Sequence, residues 1–443
     1  MTARETAVRL LTDVRREGSY SNILLENTLA ESTLSAQDKA LVTRLVYGVI
    51  ERQITLDWCL SACADKPLKK LHPFVAETLR VAAYQLLYME RIPTSAAVNE
   101  AVKAVKKKQP YAAGLANALL RNLARQKDTL FDALPADDHG LSVRYSCPEK
   151  LIAFWREAYG EERLPLLLQG INDAPPSYVR INTLAIEPEA FLAKLQAADI
   201  PFETADDLPA CVRVDISALK TLGETAQTLY YPQDKASQYA IHALGAQPGE
   251  RVADVCAAPG GKTFTAAQYM QNQGEIVASD LYEAKCEVIR TRAKQLGASA
   301  VRVVCRDAST APPAQWCGTF DRVICDAPCS GFGVIRRKPE IRYKDPLSCA
   351  DLPPLQRQIL EEAAKLVKVG GVLQYSTCTL NPAENRAVAE WFLKTHPQFS
   401  PRPLVGLPAS VMDEPTWYRT LIPSVHETDG FFIAAFTRTS IAE

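Results

Sequence analysis

Two cysteines in the sequence stand beside polar groups in short segments that follow apolar runs. Cys329 lies in Asp-Ala-Pro-Cys-Ser-Gly (326–331), and Cys378 lies in Ser-Thr-Cys-Thr (376–379). An ionised cysteine is a strong nucleophile, and a neighbouring acid or base can move protons during a covalent reaction. The two thiols and the Asp326 carboxylate predict a reactive centre, provided that the fold brings them together.

A glycine-rich segment precedes both cysteines and also follows an apolar run. Glycines let the backbone approach a ligand closely, and the first N–H groups of the next helix attract a negative group. Gly-Lys-Thr is also part of a P-loop, but that motif needs a glycine five residues before Gly261, where this chain has Cys256. A nucleoside-cofactor loop is therefore the favoured interpretation. Its residues are Cys256, Ala257, Ala258, Pro259, Gly260, Gly261 and Lys262.

Two further aspartates follow apolar runs in the same part of the chain. Asp280 lies 26 residues after Asp254, a spacing that suits a hydrogen bond to a ribose 2′-hydroxyl group. Asp307 follows the next run and is placed to meet an adenine amino group. The alternatives are an N-cap role for Asp280, before a helix predicted over Leu281–Gln295, and a turn or cap role for Asp307.

All of these segments lie at the ends of apolar runs that alternate with helical stretches. This alternation predicts a parallel sheet covered on both faces, a doubly wound α/β domain that binds ligands at the carboxyl ends of its strands. The last two runs should be neighbouring strands, which would bring Cys329, Cys378 and Asp326 into one pocket. A late run, Gly430–Thr437, predicts an antiparallel edge strand. The five predicted parallel strands are Arg251–Val255, Glu275–Ser279, Ala300–Cys305, Phe320–Cys325 and Gly371–Tyr375.

The front of the chain has a different pattern, with apolar residues at helical spacing. This pattern predicts a compact bundle of about six to eight helices over residues 1–135. Residues 136–175 are predicted to be a linker with one or two connecting helices around Ile152–Leu168, and residues 176–235 a small α/β module. Residues 236–443 complete a multidomain α plus α/β fold. Helical periodicity is clearest over Lys39–Ile50, Phe74–Met89, Ser95–Lys107 and Gly114–Arg125.

Charge is unevenly distributed between the front of the chain and the rest. Residues 1–130 contain 19 Lys and Arg against 13 Asp and Glu, whereas the remainder contains 31 against 38. The basic front indicates contact with a polyanion, although an ordinary solvated surface is the alternative. The first candidates for such contacts are Lys103, Lys106, Lys107 and Lys108. The candidates to consider next are Arg336, Arg337 and Lys338.

Composition also narrows the class of protein. No apolar run approaches the roughly 18 residues of a membrane helix, and the charged start does not resemble a signal peptide. We therefore expect a cytoplasmic protein without membrane contact. We also expect a monomer. The chain has twelve cysteines and five histidines but no pair of CxxC motifs. We therefore predict no metal site and expect most cysteines to be small core residues.

Taken together, the motifs resemble those of the RNA cytosine-5 methyltransferase family. Residues 38–48 and 98–103 also resemble the NusB-like helical RNA-binding domain. The combination is the layout of bacterial small-subunit (16S) ribosomal RNA cytosine-5 methyltransferases. The matching catalytic-domain segments are 231–238, 256–262, 326–331, 376–379 and 429–432.

This resemblance implies a Rossmann-like class I methyltransferase domain that uses S-adenosyl-L-methionine. The glycine-rich loop, Asp280, Asp307 and Asp326 would hold the cofactor, and small-subunit ribosomal RNA, naked or partly assembled, would be the partner. The resemblance assigns the nucleophile to Cys378 and the elimination stage to Cys329. Asp326 would bind the cytosine edge or stabilise protonation at N3, and Lys262 would line the same pocket.

The chemistry explains why such a reaction needs a thiol. Carbon 5 of cytosine is a poor nucleophile, so a thiolate first adds to carbon 6, and the resulting enamine can then accept a methyl group. The base must lie outside any helix to be reached. DNA cytosine-5 methyltransferases use the cysteine of the Pro-Cys motif, so the residues alone leave the roles of Cys329 and Cys378 exchangeable.

Three other functions are compatible with parts of the sequence. The nearest is the same chemistry on transfer RNA. The second is a non-catalytic NusB-like RNA-binding or ribosome assembly factor, against which the two thiols, Asp326 and the glycine loop all count. The third is a nucleotide-binding ATPase, which Cys256 at the Walker position disfavours.

Overall fold

The computed structural model describes residues 1–17, 21–64, 71–205, 207–410, 412 and 414–440. Within those ranges, the helices are too short or too polar to cross a membrane. The chain divides into two compact units, and each contains two separate stretches of sequence. The helical unit consists of Met1–Asn172 and Ile335–Pro346, and the catalytic unit consists of Asp173–Val334 and Leu347–Glu443.

Helices dominate the first unit, as the apolar periodicity predicts. The described part of residues 1–135 contains seven α-helices, so the predicted bundle of about six to eight is confirmed. Residues 136–172 contain three helices rather than one or two, because an additional short helix precedes those predicted. The ten helices are α1 Ala3–Glu17, α2 Ser21–Glu31, α3 Ala36–Glu51, α4 Gln53–Ala62, α5 Pro73–Tyr88, α6 Thr94–Lys108, α7 Ala113–Gln126, α8 Asp138–Tyr145, α9 Glu149–Tyr159 and α10 Leu164–Gly170.

Helix α5 forms the centre of this bundle and is buried on all sides from Val75 to Leu86. Its two charged side chains are therefore paired. Arg80 donates two hydrogen bonds to Asp57, at 2.5 and 2.9 Å, and one to Glu77 at 2.6 Å. A buried charge without such partners would be strongly destabilising, so this network fixes how α4 and α5 pack.

The segment Ile335–Pro346 belongs to the helical unit although it follows the Cys329 motif in the chain. Its Arg342 side chain is fully buried there. The guanidinium donates to the backbone oxygens of Glu51 at 2.7 Å, Ser146 at 3.0 Å and Ile171 at 3.1 Å. These oxygens lie at or near helix ends, where carbonyl groups have no partner within the helix.

The second unit begins with a small module, as predicted for residues 176–235. Its four strands form an antiparallel sheet in the order β2-β3-β1-β4, and one helix packs with them around an apolar core. The elements of this module are β1 Tyr178–Ile181, α11 Pro188–Ala197, β2 Phe202–Thr204, β3 Cys211–Val214 and β4 Tyr230–Pro232.

The larger sheet follows and contains the five predicted parallel strands. Its order is β10-β12-β9-β8-β5-β6-β7, and β11 also pairs with β12. Buried apolar residues cover both faces of the sheet. The elements are α12 Lys235–Leu244, β5 Arg251–Asp254, α13 Gly261–Tyr269, β6 Glu275–Asp280, α14 Glu283–Leu296, β7 Val301–Cys305, β8 Phe320–Asp326, α15 Leu352–Leu366, β9 Val367–Thr377, α16 Arg386–Thr395, β10 Phe399–Pro401, β11 Tyr418–Leu421, α17 Pro423–His426 and β12 Phe431–Arg438.

The last strand corrects one prediction about the edge of the sheet. β12 is antiparallel to β9, as expected, but it is not an edge strand because β10 and β11 pair with its other side. Its first six residues are all buried, a pattern typical of a strand that is covered on both faces. Both added strands are only three or four residues long, too short for the sequence pattern to reveal.

Candidate active site

The parallel pairing of β8 with β9 brings the two thiols together. The register places Asp326 opposite Ser376. Because β8 ends at Asp326 and β9 ends at Thr377, the two following loops leave the sheet side by side. The Sγ atoms of Cys329 and Cys378 are 3.2 Å apart, and both residues are partly exposed. The prediction that these strands are neighbours is confirmed, and the two sulfur atoms are close enough to act on one substrate molecule.

An ion pair lies at the same edge of the sheet. Lys262 reaches from the first turn of α13 and places its Nζ 2.6 Å from Asp326, whose other carboxylate oxygen accepts a hydrogen bond from Ser376 at 2.7 Å. Burial opposes the charge of Lys262, but the Asp326 carboxylate outweighs it and raises the pKa of the lysine. Lys262 therefore keeps its charge, and its Nζ also lies 5.1 Å from the centre of the Phe431 ring.

The Cys329 thiol resists ionisation. The hydrogen bond with Cys378, followed by burial, raises the pKa of Cys329 well above its usual range. Two thiolates at 3.2 Å would repel each other strongly, which disfavours ionisation of both sulfur atoms at once. The raised pKa of Cys329 keeps the proton on that thiol.

The glycine-rich loop connects the end of β5 to the start of α13. Gly260 has φ +105°, and a Cβ atom there would lie 2.4 Å from the Phe264 ring, so the position requires glycine. The backbone N–H of Ala258 donates to Asp280 at 3.2 Å, which ties the loop to the next strand. The structure places Cys256, Ala257, Ala258, Pro259 and Gly260 in this loop and Gly261 and Lys262 in the first turn of α13.

Asp280 ends β6 as predicted and is largely buried. Its carboxylate accepts from Ala258 on one side and lies 3.5 Å from the Lys285 ammonium group on the other. The alternative N-cap role is wrong, because Tyr282 occupies the N-cap position of α14. The carboxylate instead joins the glycine loop to the sheet edge, where a ribose hydroxyl group could reach it.

Asp307 lies two residues beyond the end of β7 and is exposed. Its carboxylate accepts from the Ser309 hydroxyl at 2.6 Å and from the Ser309 N–H at 2.9 Å, and these bonds lower the pKa of Asp307. This is the turn geometry of the alternative interpretation. If Asp307 contacts adenine, its carboxylate does so while it also accepts the two hydrogen bonds that stabilise this turn.

A fourth carboxylate at this edge was not selected from the sequence. Asp254 ends β5 and is almost fully buried; Thr263 donates to one of its oxygens at 2.7 Å, while the other has no hydrogen-bond partner. Burial raises the pKa of Asp254 to about 7. An unpartnered buried acceptor beside a glycine loop and other carboxylates fits a ligand that carries hydroxyl groups and positive charge, such as a sulfonium nucleoside.

Comparison with known families agrees with this division of the chain. Residues 241–437 match the family model described as 16S rRNA methyltransferase RsmB/F, residues 1–125 match the NusB family, and residues 147–218 match the RsmF/B-like ferredoxin-like domain. The probable ribosomal RNA small subunit methyltransferase B of Bacillus subtilis is 35% identical and aligns over 99% of both chains. The chain belongs to the RsmB/F family of 16S rRNA methyltransferases.

Other relatives have the same full-length correspondence. The ribosomal RNA small subunit methyltransferase B of Salmonella paratyphi B is 33% identical over 97% of both chains. The crystal structure of PH0851 has a TM-score of 0.78 and 25% identity, and the match covers 98% of each chain. A structure of NSun6 from Pyrococcus horikoshii with SFG has a TM-score of 0.60 and 19% identity over 66% of this chain and 99% of that chain, which supports the fold.

One buried residue of this RsmB/F-family chain joins the two cysteine loops and was not predicted from the sequence. Glu384 is completely buried, and one of its carboxylate oxygens accepts from the Ser330 N–H and from Gln356, each at 2.9 Å. Its other oxygen accepts from Asn381 at 2.8 Å. The carboxylate thus holds the residue after Cys329. A single glutamate in a loop has no spacing that would have distinguished it from a surface residue.

Backbone contacts join the same loops a second time. The Gly333 N–H donates to the Cys378 carbonyl at 3.0 Å, and the Gly430 N–H donates to the Gly333 carbonyl at 2.8 Å. A Cβ atom at Gly333 would lie 1.8 Å from the Gly430 carbonyl oxygen, so no larger residue fits. The glycine of the 429–432 motif therefore has a physical role in closing this site.

We predict that Glu384→Gln lowers methyl transfer about a hundredfold, because an amide in place of one oxygen disturbs the alignment of the two loops. Glu384 also contributes to the raised pKa of Cys329. Its replacement should therefore shift the pH profile of Cys329 alkylation to lower pH. Turnover and alkylation rates would be measured on the folded variant. Glu390→Gln, at an exposed glutamate of α16, is the control and should match the unmodified protein. An unchanged profile would limit Glu384 to a structural role.

Proposed function

We propose that this chain methylates carbon 5 of a cytosine in 16S ribosomal RNA through a covalent bond between Cys378 and carbon 6. Membership of the RsmB/F family makes the chain an S-adenosylmethionine-dependent 16S rRNA methyltransferase, so the predicted cofactor is confirmed. The 3.2 Å contact between two thiols beside the Asp326–Lys262 pair supports the proposed methylation of carbon 5 through a covalent cysteine intermediate.

The first step of the proposed mechanism belongs to Cys378. In this proposal Cys329 keeps its proton while Cys378 adds, as the thiolate, to carbon 6 of an extruded cytosine. The Asp326 carboxylate binds the cytosine edge or stabilises protonation at N3 as negative charge develops on the ring, and Lys262 keeps this carboxylate in place through its ion pair. Bound S-adenosylmethionine supplies an electrophilic methyl group, which carbon 5 then accepts.

The second stage belongs to Cys329. The proton on carbon 5 must leave, and the bond between Cys378 and carbon 6 must break, before the methylated base is released. Once Cys378 is bonded to carbon 6, Cys329 loses the hydrogen bond that raises its pKa and can ionise. The Cys329 thiolate then takes the carbon 5 proton, and the electron pair left behind restores the double bond between carbons 5 and 6 and expels Cys378 as a thiolate. The Glu384 and Gly333 contacts hold the two loops at this separation through both stages.

Replacement of each thiol should stop the reaction at a different stage. Cys378→Ala cannot add to the base, so we expect neither product nor adduct. Cys329→Ala can add and accept the methyl group but eliminates poorly, so it should accumulate a protein–RNA adduct that survives denaturing electrophoresis. Labelled 16S rRNA and labelled S-adenosylmethionine measure both outcomes. Cys317→Ala, at an exposed cysteine outside the centre, is the control. An adduct in Cys378→Ala but not in Cys329→Ala would reverse the assigned roles.

We also propose that the glycine loop, Asp280, Asp307 and Asp326 hold the cofactor. Asp280→Asn should weaken S-adenosylmethionine binding about ten- to hundredfold, since it removes a charged acceptor of a hydrogen bond. Titration calorimetry without RNA measures this directly. Asp215→Asn, in a turn of the small module, provides a matched control. Equal affinity in the two variants would remove Asp280 from the cofactor site.

RNA binding is proposed for the basic surface of the helical unit. The four lysines of α6 are exposed, although Lys107 lies 3.9 Å from Glu5 and Lys108 lies 4.5 Å from the Phe74 ring centre. Phosphate contacts make binding depend on salt, with a log–log slope of roughly −0.7 per contact for single strands.

The transfer RNA alternative uses the same chemistry. The two substrates are distinguished by which RNA becomes methylated.

Replacing Lys103, Lys106, Lys107 and Lys108 with glutamine should weaken RNA binding and flatten the salt dependence by roughly 0.7 for each lost contact. Fluorescence anisotropy with a 16S rRNA fragment at several salt concentrations measures both quantities. If affinity and slope equal those of the unmodified protein, the RNA path lies elsewhere, with Arg336, Arg337 and Lys338 the next candidates. The control replaces the exposed lysines Lys194, Lys220, Lys294 and Lys394.

A further inference from the structure

Three side chains with metal-binding atoms meet at the carboxyl edge of the large sheet, outside the thiol centre. Cys286 and Glu283 lie in the first two turns of α14, and Cys305 is the last residue of β7. The two sulfur atoms and a Glu283 carboxylate oxygen all lie within 4.8 Å of one another. The cluster therefore joins a helix to the neighbouring strand through groups that are not used in the proposed methyl transfer.

The backbone explains why these groups converge. Residues three apart in a helix share a face, which places Glu283 and Cys286 together. The register of β6 with β7 sets Cys305 opposite Asp280, immediately before α14 begins. Cys286 is buried, whereas Glu283 and Cys305 are exposed, so an ion could enter from solvent and meet a buried ligand.

The separations suit a small tetrahedral cation. With metal–sulfur bonds of about 2.3 Å and metal–oxygen bonds of about 2.0–2.2 Å, tetrahedral ligands lie about 3.4–3.8 Å apart, within the observed limit. Two sulfur ligands favour a thiophilic ion of the Zn²⁺ class over Mg²⁺ or Ca²⁺, which prefer all-oxygen sites.

The present partners of these groups are weak or replaceable. The Cys286 thiol lies 3.5 Å from the Asp280 carbonyl oxygen, and the Cys305 thiol lies 3.4 Å from that of Leu281. Glu283 pairs with Arg290 at 2.5 Å, but Arg290 also pairs with Glu287 at 3.0 Å. Glu283 can therefore turn to an ion while Arg290 keeps a carboxylate partner.

We propose that Glu283, Cys286 and Cys305 form a binding site for a thiophilic divalent cation such as Zn²⁺, with water in the fourth position. Binding converts both thiols to thiolates, so two protons leave for each cation bound, and the Glu283 carboxylate contributes one oxygen. The site joins α14 to the end of β7. This inference is independent of the proposed methylation chemistry.

The test uses the full chain with Cys329 and Cys378 changed to serine, because those neighbouring thiols could themselves bind a soft metal. Under a non-thiol reductant, Cd²⁺ is added and the ultraviolet thiolate-to-metal charge-transfer absorbance is followed; Zn²⁺ affinity is then measured by competition with a chromogenic chelator. We expect one cation per chain with the absorbance of two thiolates, and affinity that rises from about pH 6 to about pH 8.

Adding Cys305→Ser should lower the Zn²⁺ affinity by about a hundredfold or more, and Glu283→Gln by about tenfold. Cys317→Ser, at another exposed cysteine, should leave the affinity unchanged. Because Cys305 and Glu283 are exposed, their variants should fold even if replacement of the buried Cys286 disrupts packing. No thiolate absorbance in the Cys329, Cys378 background, or equal affinity in the Cys305→Ser variant, would overturn the proposal.

Discussion

The parallel pairing of β8 with β9 is the constraint on which the rest of the catalytic unit depends. Because Asp326 lies opposite Ser376, the two cysteine loops begin at the same level of the sheet. A slip of one residue would turn the side chains of β9 to the opposite face and separate these groups. The long buried stretch of β9 opposes such a slip, since its residues already pack on both sides. Reactive groups distant in sequence are thus held by ordinary strand pairing.

Much of this arrangement could be predicted because the signals are local. Continuous apolar runs define the five parallel strands, and the rule that ligands bind at their carboxyl ends places Asp280 and Asp326 at one edge. Helical periodicity likewise defines most of the bundle. The family resemblance added the assignment of roles to Cys329 and Cys378, which no periodicity contains.

The features that could not be predicted depend on contacts between distant residues. Glu384 has no local pattern, and its importance follows from the N–H of Ser330, 54 residues earlier. Cys286 and Cys305 belong to no metal-binding motif, because strand register rather than spacing brings them together. The interior position of β12 depends on β10 and β11, two very short strands. The pattern of apolar residues in the sequence does not show that they pair with β12.

The segment Ile335–Pro346 makes the boundary between the two units discontinuous in sequence. The chain leaves the catalytic unit after the Cys329 motif, contributes Arg342 to the helical unit, and returns before α15. Residues 1–172 expressed alone would leave the oxygens of Glu51, Ser146 and Ile171 without the guanidinium that they share. Residues 173–443 expressed alone would carry Arg342 without the helical unit that buries it. Neither half of this gene is therefore a transferable module, and any fusion, exchange or duplication must move both stretches of the helical unit together.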